Sequence, residues 1–315
     1  IVAAIQQRKV YARWADQRPK TFDRNLIVIG GGAGGLVSAY IAAAVKAKVT
    51  LIEAHKMGGD CLNYGCVPSK ALIRSAKAMK QLRKAETFGL RGARGEVDFA
   101  AVMQRIHSVI RDIEPHDSVE RYTGLGVEVL QGHARIVSPW EVQVTLADGS
   151  QQSLTTRNIV IAAGASPFVP PIPGLKEAGF LTSDTIWGLT ALPRRLVVLG
   201  GGPIGSELAQ SFARLGSEVT QVEMAPRIMG REDPEVSELV AASLRADGVR
   251  VLTGHKAVRV EQADGEKRLI VQHDGQEIAV PFDELLCAVG RSPRVTGYGL
   301  EELGIPLTAR NTIET

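Results

Sequence analysis

Two cysteines, Cys61 and Cys66, stand five residues apart in GGDCLNYGCVPSK, residues 58–70, and thiols this close along a chain can form an intrachain disulfide. The chemistry open to such a pair is thiol–disulfide exchange, in which a thiolate attacks one sulfur and the other leaves. A helix predicted to start just after Cys66, together with Lys70, would stabilise that thiolate. Two plainer readings stand beside this one. The pair could be half of a zinc site, which lacks a second pair or a histidine at ligand spacing, or simply two inert core thiols. The third cysteine, Cys287, lies alone in an apolar strand and reads as core. The histidines His55, His107, His116, His133, His255 and His273 show no metal spacing.

Just upstream, four apolar residues, Leu26 to Ile29, run into Gly30, Gly31, Gly32, Gly34 and Gly35 and then a small-residue apolar segment to Val45. A second apolar run from Val49 ends on Glu53, 21 residues after Gly32. Strand, tight turn, helix, strand and acid in this order form a dinucleotide fingerprint. The glycines let the backbone approach a pyrophosphate, the helix beginning near Ala33 offers its free N–H groups, and Glu53 can accept from a ribose diol. The same element returns at Leu196–Glu223, where Gly200, Gly202, Gly205 and Glu223 match Gly30, Gly32, Gly35 and Glu53 at a constant offset of 170. One GxGxxG is weak evidence; two in the same context predict a pair of nucleotide-binding folds. Glu223 would hydrogen-bond an unmodified ribose and repel a 2′-phosphate, which favours NAD over NADP, unless Arg227 turns inward and offsets the repulsion.

The elements that must position these groups follow from pattern. Residues 71–85 carry helical apolar spacing at Leu72, Ala76, Met79 and Leu82, and a second helix begins after Asp98, a candidate N-cap, with Val102, Ile106, Val109, Ile110 and Ile113 on one side. Residues 126–130 read as a short strand, and Glu141–Leu146 and Ser153–Ile161 flank a hairpin signal at Asp148-Gly149. Pro170, Pro171, Pro173 and Gly174 punctuate a linker. Residues 249–286 alternate around Asp264-Gly265 and Asp274-Gly275 as an antiparallel meander.

Composition narrows the classes. The 315 residues are 44% hydrophobic, enough for two cores, and the net charge of +3 gives no argument for nucleic acid. The basic run from Lys70 to Lys84 reads as a solvated helix face. No apolar run approaches the ~20 residues that span a bilayer. Three cysteines without a secretory signal point to a reducing, cytoplasmic compartment.

On these motifs the chain resembles the class I pyridine nucleotide-disulfide oxidoreductases, the flavoprotein family of lipoamide dehydrogenase, glutathione reductase and mercuric reductase, from about Phe22 onward. The resemblance implies an α/β protein with two Rossmann-like folds, FAD on the first and NAD on the second, each with an antiparallel meander. It implies a relay in which reduced nicotinamide passes hydride to the flavin, the flavin reduces a Cys61–Cys66 disulfide, and the thiols reduce a lipoamide-like disulfide or related acceptor. Cys66 would face the flavin, Cys61 would exchange with substrate, and Lys70 would pair with Glu207. The cofactor set implied by the family also takes in Gly59, Asp60, Ala163, Gly164, Ile204, Gly290 and Arg291; Ala163 stands where the family usually has threonine. The PSK ending is closer to lipoamide dehydrogenase and mercuric reductase than to glutathione reductase, and Phe212–Ser217 resembles mercuric reductase, so metal-ion reduction of the mercuric reductase kind is an alternative. A nucleotide-binding thiol sensor without turnover is the rival of a different class.

The expected organisation is a linker or surface helix over 1–21, which in some bacterial relatives joins a membrane domain, a FAD-binding domain over 22–169, an NAD-binding domain over 170–284, and a return into the first domain over 285–315. A start at Ile1 and a stop at Thr315 in mid-segment suggest a fragment of a homodimeric parent whose catalytic histidine and dimerisation domain lie further on.

Overall fold

A computed structural model describes residues 14–263 and 265–314, so most of the expected N-terminal linker, and Asp264 of the first meander turn, lie outside the described residues. The chain divides into two compact units, one comprising the residues up to Asn63 with Arg111–Ser166 and Ser292 onward, the other Tyr64–Ile110 with Pro167–Arg291.

In the first unit, β1 (Arg24–Ile29) pairs in parallel with β2 (Val49–Glu53), and β2 with the start of β3 (Val127–Ser138). The later part of β3 turns antiparallel against β4 (Glu141–Leu146), β4 pairs with β5 (Gln151–Ile161), and β5 returns in parallel to β1, so the pairing closes on itself. The strand expected at 126–130 is therefore longer, because one extended segment serves a parallel ladder and then an antiparallel one. Helix α1 (Ala33–Ala44) buries Leu36, Ala39 and Ala43 with Val28, Val49 and Leu51. A fully buried Leu or Val contributes roughly 1.5–3 kcal/mol, so this face fixes the helix on the sheet.

The second unit contains α2 (Cys66–Arg83), α3 (Phe99–Ile113, whose last residues pass into the first unit), α4 (Pro203–Leu215) and α5 (Pro234–Ala246). Its parallel sheet comprises β6 (Leu181–Thr182), β7 (Arg195–Leu199), β8 (Glu218–Glu223), β9 (Arg250–Thr253) and, beyond a meander, β13 (Glu284–Cys287), in the order β9-β8-β7-β13-β6. The meander is β10 (Lys256–Ala263), β11 (Glu266–His273) and β12 (Gln276–Phe282), with Asp274 and Gly275 both at positive φ in the two-residue turn. The expected meander over 249–286 is thus correct only in its middle, since the strands at each end join the parallel sheet.

The compact units are drawn by packing. Residues 64–110 group with the second unit, where Leu72, Ala76, Phe99, Met103 and Ile106 form one core with Leu208, Ala209 and Phe212 of α4. The first unit resumes at Ser292, after β13 has paired with β7. Asp98 does cap α3, accepting from the Ala101 N–H at 2.9 Å.

Asp247, just after α5, ties α2 to α4. Its carboxylate is 2.8 Å from Lys80 Nζ and 2.7 Å from Arg214 Nη2, with the Asp247 side chain only 6% exposed. Burial alone would raise this carboxyl, but hydrogen bonds and charge from Lys80 and Arg214 outweigh it and hold it below the usual range. Asp247→Ala should therefore cost about 3 kcal/mol in urea unfolding at neutral pH. A carboxyl lowered in the folded state stabilises above its unfolded pKa and ceases to as pH falls through the folded one. The gap between wild type and variant should accordingly be constant above about pH 5 and close progressively below pH 4.

Candidate functional site

The first glycine turn is held by contacts that tolerate no side chain. Gly30 has φ +109°, and a Cβ there would overlap the Ala162 carbonyl; Gly35 likewise abuts the Gly30 carbonyl. The Gly31 N–H donates to Glu53 Oε2 at 2.5 Å, and Glu53 Oε1 accepts from the His55 N–H at 2.7 Å. A carboxylate has further lone pairs, so Glu53 can still accept from a ribose diol. A Cβ on Gly34 would meet nothing within 4 Å, so the turn is open at the N-terminus of α1, where Ala33 begins the helix. The segment Ala162–Gly164 runs beside it, with the Ala162 N–H bonded to the Ile29 carbonyl at 2.8 Å.

The cysteine segment begins against this turn. The Gly58 N–H donates to the Gly31 carbonyl at 2.9 Å, and a Cβ on Gly59, φ +54°, would lie 2.6 Å from Gly32 Cα. The short helix Gly59–Asn63 carries Asp60 and a half-buried Cys61, and Asn63 Nδ2 donates back to the carbonyls of Met57 and Gly59 at 3.0 Å each.

The division between units falls after Asn63, so Cys61 belongs to the first and Cys66 to the second. Cys66 is exposed and is itself the first residue of α2, one position earlier than expected. Within the second unit Lys70 Nζ lies 2.8 and 2.6 Å from the two oxygens of Glu207, joining the two residues that the sequence proposed as a pair. Their side chains are 60% and 41% exposed, so the pair orients groups and contributes little stability. With Lys80 bonded to Asp247, a partner that only the tertiary structure supplies, the basic run on α2 is partly neutralised. Cys287 is buried, and burial pushes its thiol up to about 11.

The second turn repeats the first. Gly200 has φ +115° and lies against the Ala288 carbonyl, the Gly201 N–H donates to Glu223 Oε2 at 2.6 Å, and Glu223 Oε1 accepts from the Ala225 N–H at 2.7 Å. A Cβ on Gly202 would meet nothing within 4 Å, and Ile204, 39% exposed, stands at the start of α4. Arg227 donates to the Gly230 carbonyl at 3.2 Å, bracing its own loop. Gly290 accepts from the Phe168 N–H at 3.0 Å, and Arg291 lies 3.7 Å from Asp184. Sequence reading passed over Gln221, buried beneath this turn; the signal was a polar residue where the repeat offset places Leu51.

Two sheets each ending in a glycine turn tethered to an acid, with a segment bearing Cys61 packed on the first turn, define a protein with two dinucleotide-binding folds. The sequence matches the pyridine nucleotide-disulphide oxidoreductase family over residues 24–315, and the chain belongs to that family. It is 35% identical over 292 residues to a mercuric reductase of Bacillus cereus, covering 93% of this chain and 46% of that protein. It is 38% identical over 304 residues to a dihydrolipoyl dehydrogenase of Pseudomonas aeruginosa, covering 91% and 61%. The flavoprotein disulfide reductase RclA of Escherichia coli, solved as a Cu(II) complex, superposes with a TM-score of 0.78 at 28% identity, over 93% of this chain and 62% of that one. The chain thus spans about half to three fifths of the length of these relatives.

The differing burial of the cysteines sets their reactivity. With reduced, FAD-free protein and limiting iodoacetamide at pH 7.5, peptide mass spectrometry should find Cys66 alkylated first, and Cys287 at least about a hundredfold more slowly until the protein is unfolded.

Proposed function

We propose that the chain is the dinucleotide-handling part of an enzyme that moves electrons from NADH through FAD to a Cys61–Cys66 disulfide and on to a disulfide acceptor. The observation that carries this reading is the packing of the cysteine segment onto the first glycine turn, Gly58 on Gly31 and Gly59 on Gly32, in a chain that repeats the same turn 170 residues later.

The residues present fit both nucleotides. At the first turn the open N-terminus of α1 would take the flavin pyrophosphate and Glu53 its ribose, with Asp60, Ala163 and Gly164 alongside. At the second, Gly200–Gly205 and Glu223 would take the nicotinamide nucleotide. FAD, when bound, supplies a two-electron carrier between nicotinamide hydride and the dithiol. Cys66, at a helix N-terminus, is the thiol assigned to the flavin side, and the Lys70–Glu207 pair holds a cation one turn along the same helix. Once the pair is reduced, Cys61 attacks the acceptor disulfide and releases one thiol; Cys66 then attacks Cys61, releasing the second and restoring the Cys61–Cys66 bond. The electron pair delivered by one NADH is fully accounted for in two acceptor thiols. The whole protein is proposed to be a homodimer acting on a lipoamide-like disulfide, with a metal ion such as Hg(II) as the alternative acceptor suggested by the mercuric reductases among its relatives.

Anaerobic titration with NADH of protein reconstituted with FAD tests this. A yellow protein that gains a long-wavelength band after two electrons, absent in Cys66→Ser, is expected. A protein that retains no FAD, or a band unchanged in Cys66→Ser, would overturn the relay or the assignment of its thiol. Turnover with lipoamide against Hg(II) then separates the acceptors.

Nucleotide choice is a separate matter of charge. NADH should bind more tightly than NADPH, and Glu223→Gln should narrow that ratio by about tenfold, read by fluorescence titration. Equal affinities in wild type would show that Glu223 does not set the preference.

A further inference from the structure

The two glycine turns share a frame but differ beneath it. At the offset of 170, Leu36 and Leu51 of the first fold correspond to Ser206 and Gln221 of the second. All four side chains are buried, Leu36 at 4%, Leu51 at 0%, Ser206 at 6% and Gln221 at 0% exposure, so an apolar pair in one fold is replaced by a polar pair in the other.

The polar pair bonds directly to the turn. Gln221 Nε2 donates to the Gly200 carbonyl at 3.0 Å and to Ser206 Oγ at 3.1 Å. Gln221 and Glu223 are two apart on β8 and therefore face the same side of the sheet. Because Glu223 accepts from the Gly201 N–H, the single peptide group between Gly200 and Gly201 is held at both ends, its carbonyl by Gln221 and its N–H by Glu223. In the first fold the matching peptide is held by Glu53 at its N–H, and a leucine stands where the amide would be. The spacing differs too: a Cβ on Gly35 would come within 2.9 Å of the Gly30 carbonyl carbon, whereas one on Gly205 would lie 3.3 Å from that of Gly200. The second turn therefore sits further from its helix.

This arrangement is unfavourable as packing. Gln221 Oε1 is buried with no hydrogen-bond partner among the described residues, and an unsatisfied buried acceptor costs stability that an apolar side chain of the same size would not. The first fold shows that leucines serve the frame.

We infer that Gln221 and Ser206 are positioning residues that set the second glycine turn, and with it Glu223, to receive the pyrophosphate and ribose of the nicotinamide nucleotide. This rests on the reading of the second fold as the nicotinamide nucleotide site. The amide fixes the orientation of the Gly200–Gly201 peptide, and so the direction of the N–H groups that follow it at the start of α4. Since the same peptide anchors Glu223, the acid and the turn are set as one unit.

Gln221→Leu, close in volume, tests the role in the full chain by calorimetry with ADP-ribose and with adenosine, which lacks the pyrophosphate, alongside thermal melting. Expected are a melting temperature equal to or above wild type, ADP-ribose binding weakened about tenfold, and adenosine binding, which reports on the ribose acid without the pyrophosphate, weakened by a smaller factor. Unchanged ADP-ribose affinity would overturn the inference, as would a loss of binding that tracks a lowered melting temperature. Should Gln221→Leu fail to fold, Ser206→Ala removes one acceptor of the amide without adding volume. A two- to threefold weakening of ADP-ribose is then expected, roughly the loss of one modest hydrogen bond, and no change would refute the role. If wild-type protein itself binds no ADP-ribose, the nucleotide reading fails and this inference falls with it.

Discussion

A backbone N–H bonded to a carboxylate across the end of a parallel sheet, Gly31 to Glu53 and again Gly201 to Glu223, is the constraint on which both folds depend. Each bond pins the turn after the first strand to the end of the second. A charge-assisted bond of this kind contributes about 1.5–3 kcal/mol, enough to select one turn conformation among several that glycine permits. With the turn fixed, the helix after it must start where it does. The space beside the helix start is open, since a Cβ on Gly34 or Gly202 would touch nothing within 4 Å. The acid that shapes the turn is also the acid proposed to meet the ribose, so one carboxylate would serve both the frame and the ligand.

The dithiol segment inherits its place from this constraint. The Gly58 N–H bonds the Gly31 carbonyl, and Gly59 lies so close to Gly32 that a Cβ on Gly59 would sit 2.6 Å from the Gly32 Cα, and this sets the helical turn that carries Asp60 and Cys61. Cys66 is placed by other means. It opens a helix whose apolar face belongs to the core of the second fold and whose far end is tied by Lys80 to the buried Asp247. The two thiols thus take their positions from different cores, joined by the short stretch of chain between them.

Family membership explains why two folds with a common frame recur in one chain, but it leaves room for differences between them. Arg227 donates to the Gly230 carbonyl of its own loop, while Glu223 accepts from the Gly201 and Ala225 N–H groups. Beneath the turns, leucines in one fold and a serine and glutamine in the other leave the frame intact while changing which atoms hold the turn peptide. Frame and filling answer to separate physical demands, one steric and one polar.

The sequence alone determined whatever depends on local spacing. The glycines, the strand-end acids, the cysteine interval and the Asp98 cap act over one or two turns of chain, and the repeat offset of 170 exposed the second fold. The Lys70–Glu207 pair, 137 residues apart, was legible because each residue belongs to a recognisable motif. Tertiary structure decided what depends on partners remote in sequence and lacking a motif. Apolar spacing marks a face on α2 and α3 without saying which core will bury it; the folded chain packs that face against Leu208 and Phe212. Strand pattern likewise does not reveal whether β13 meets a parallel or an antiparallel neighbour. The one acid that neutralises Lys80 and Arg214, Asp247, and the carbonyl that Gln221 reaches were hidden for the same reason: a hydrogen bond depends on distance in space, and only the folded chain sets it.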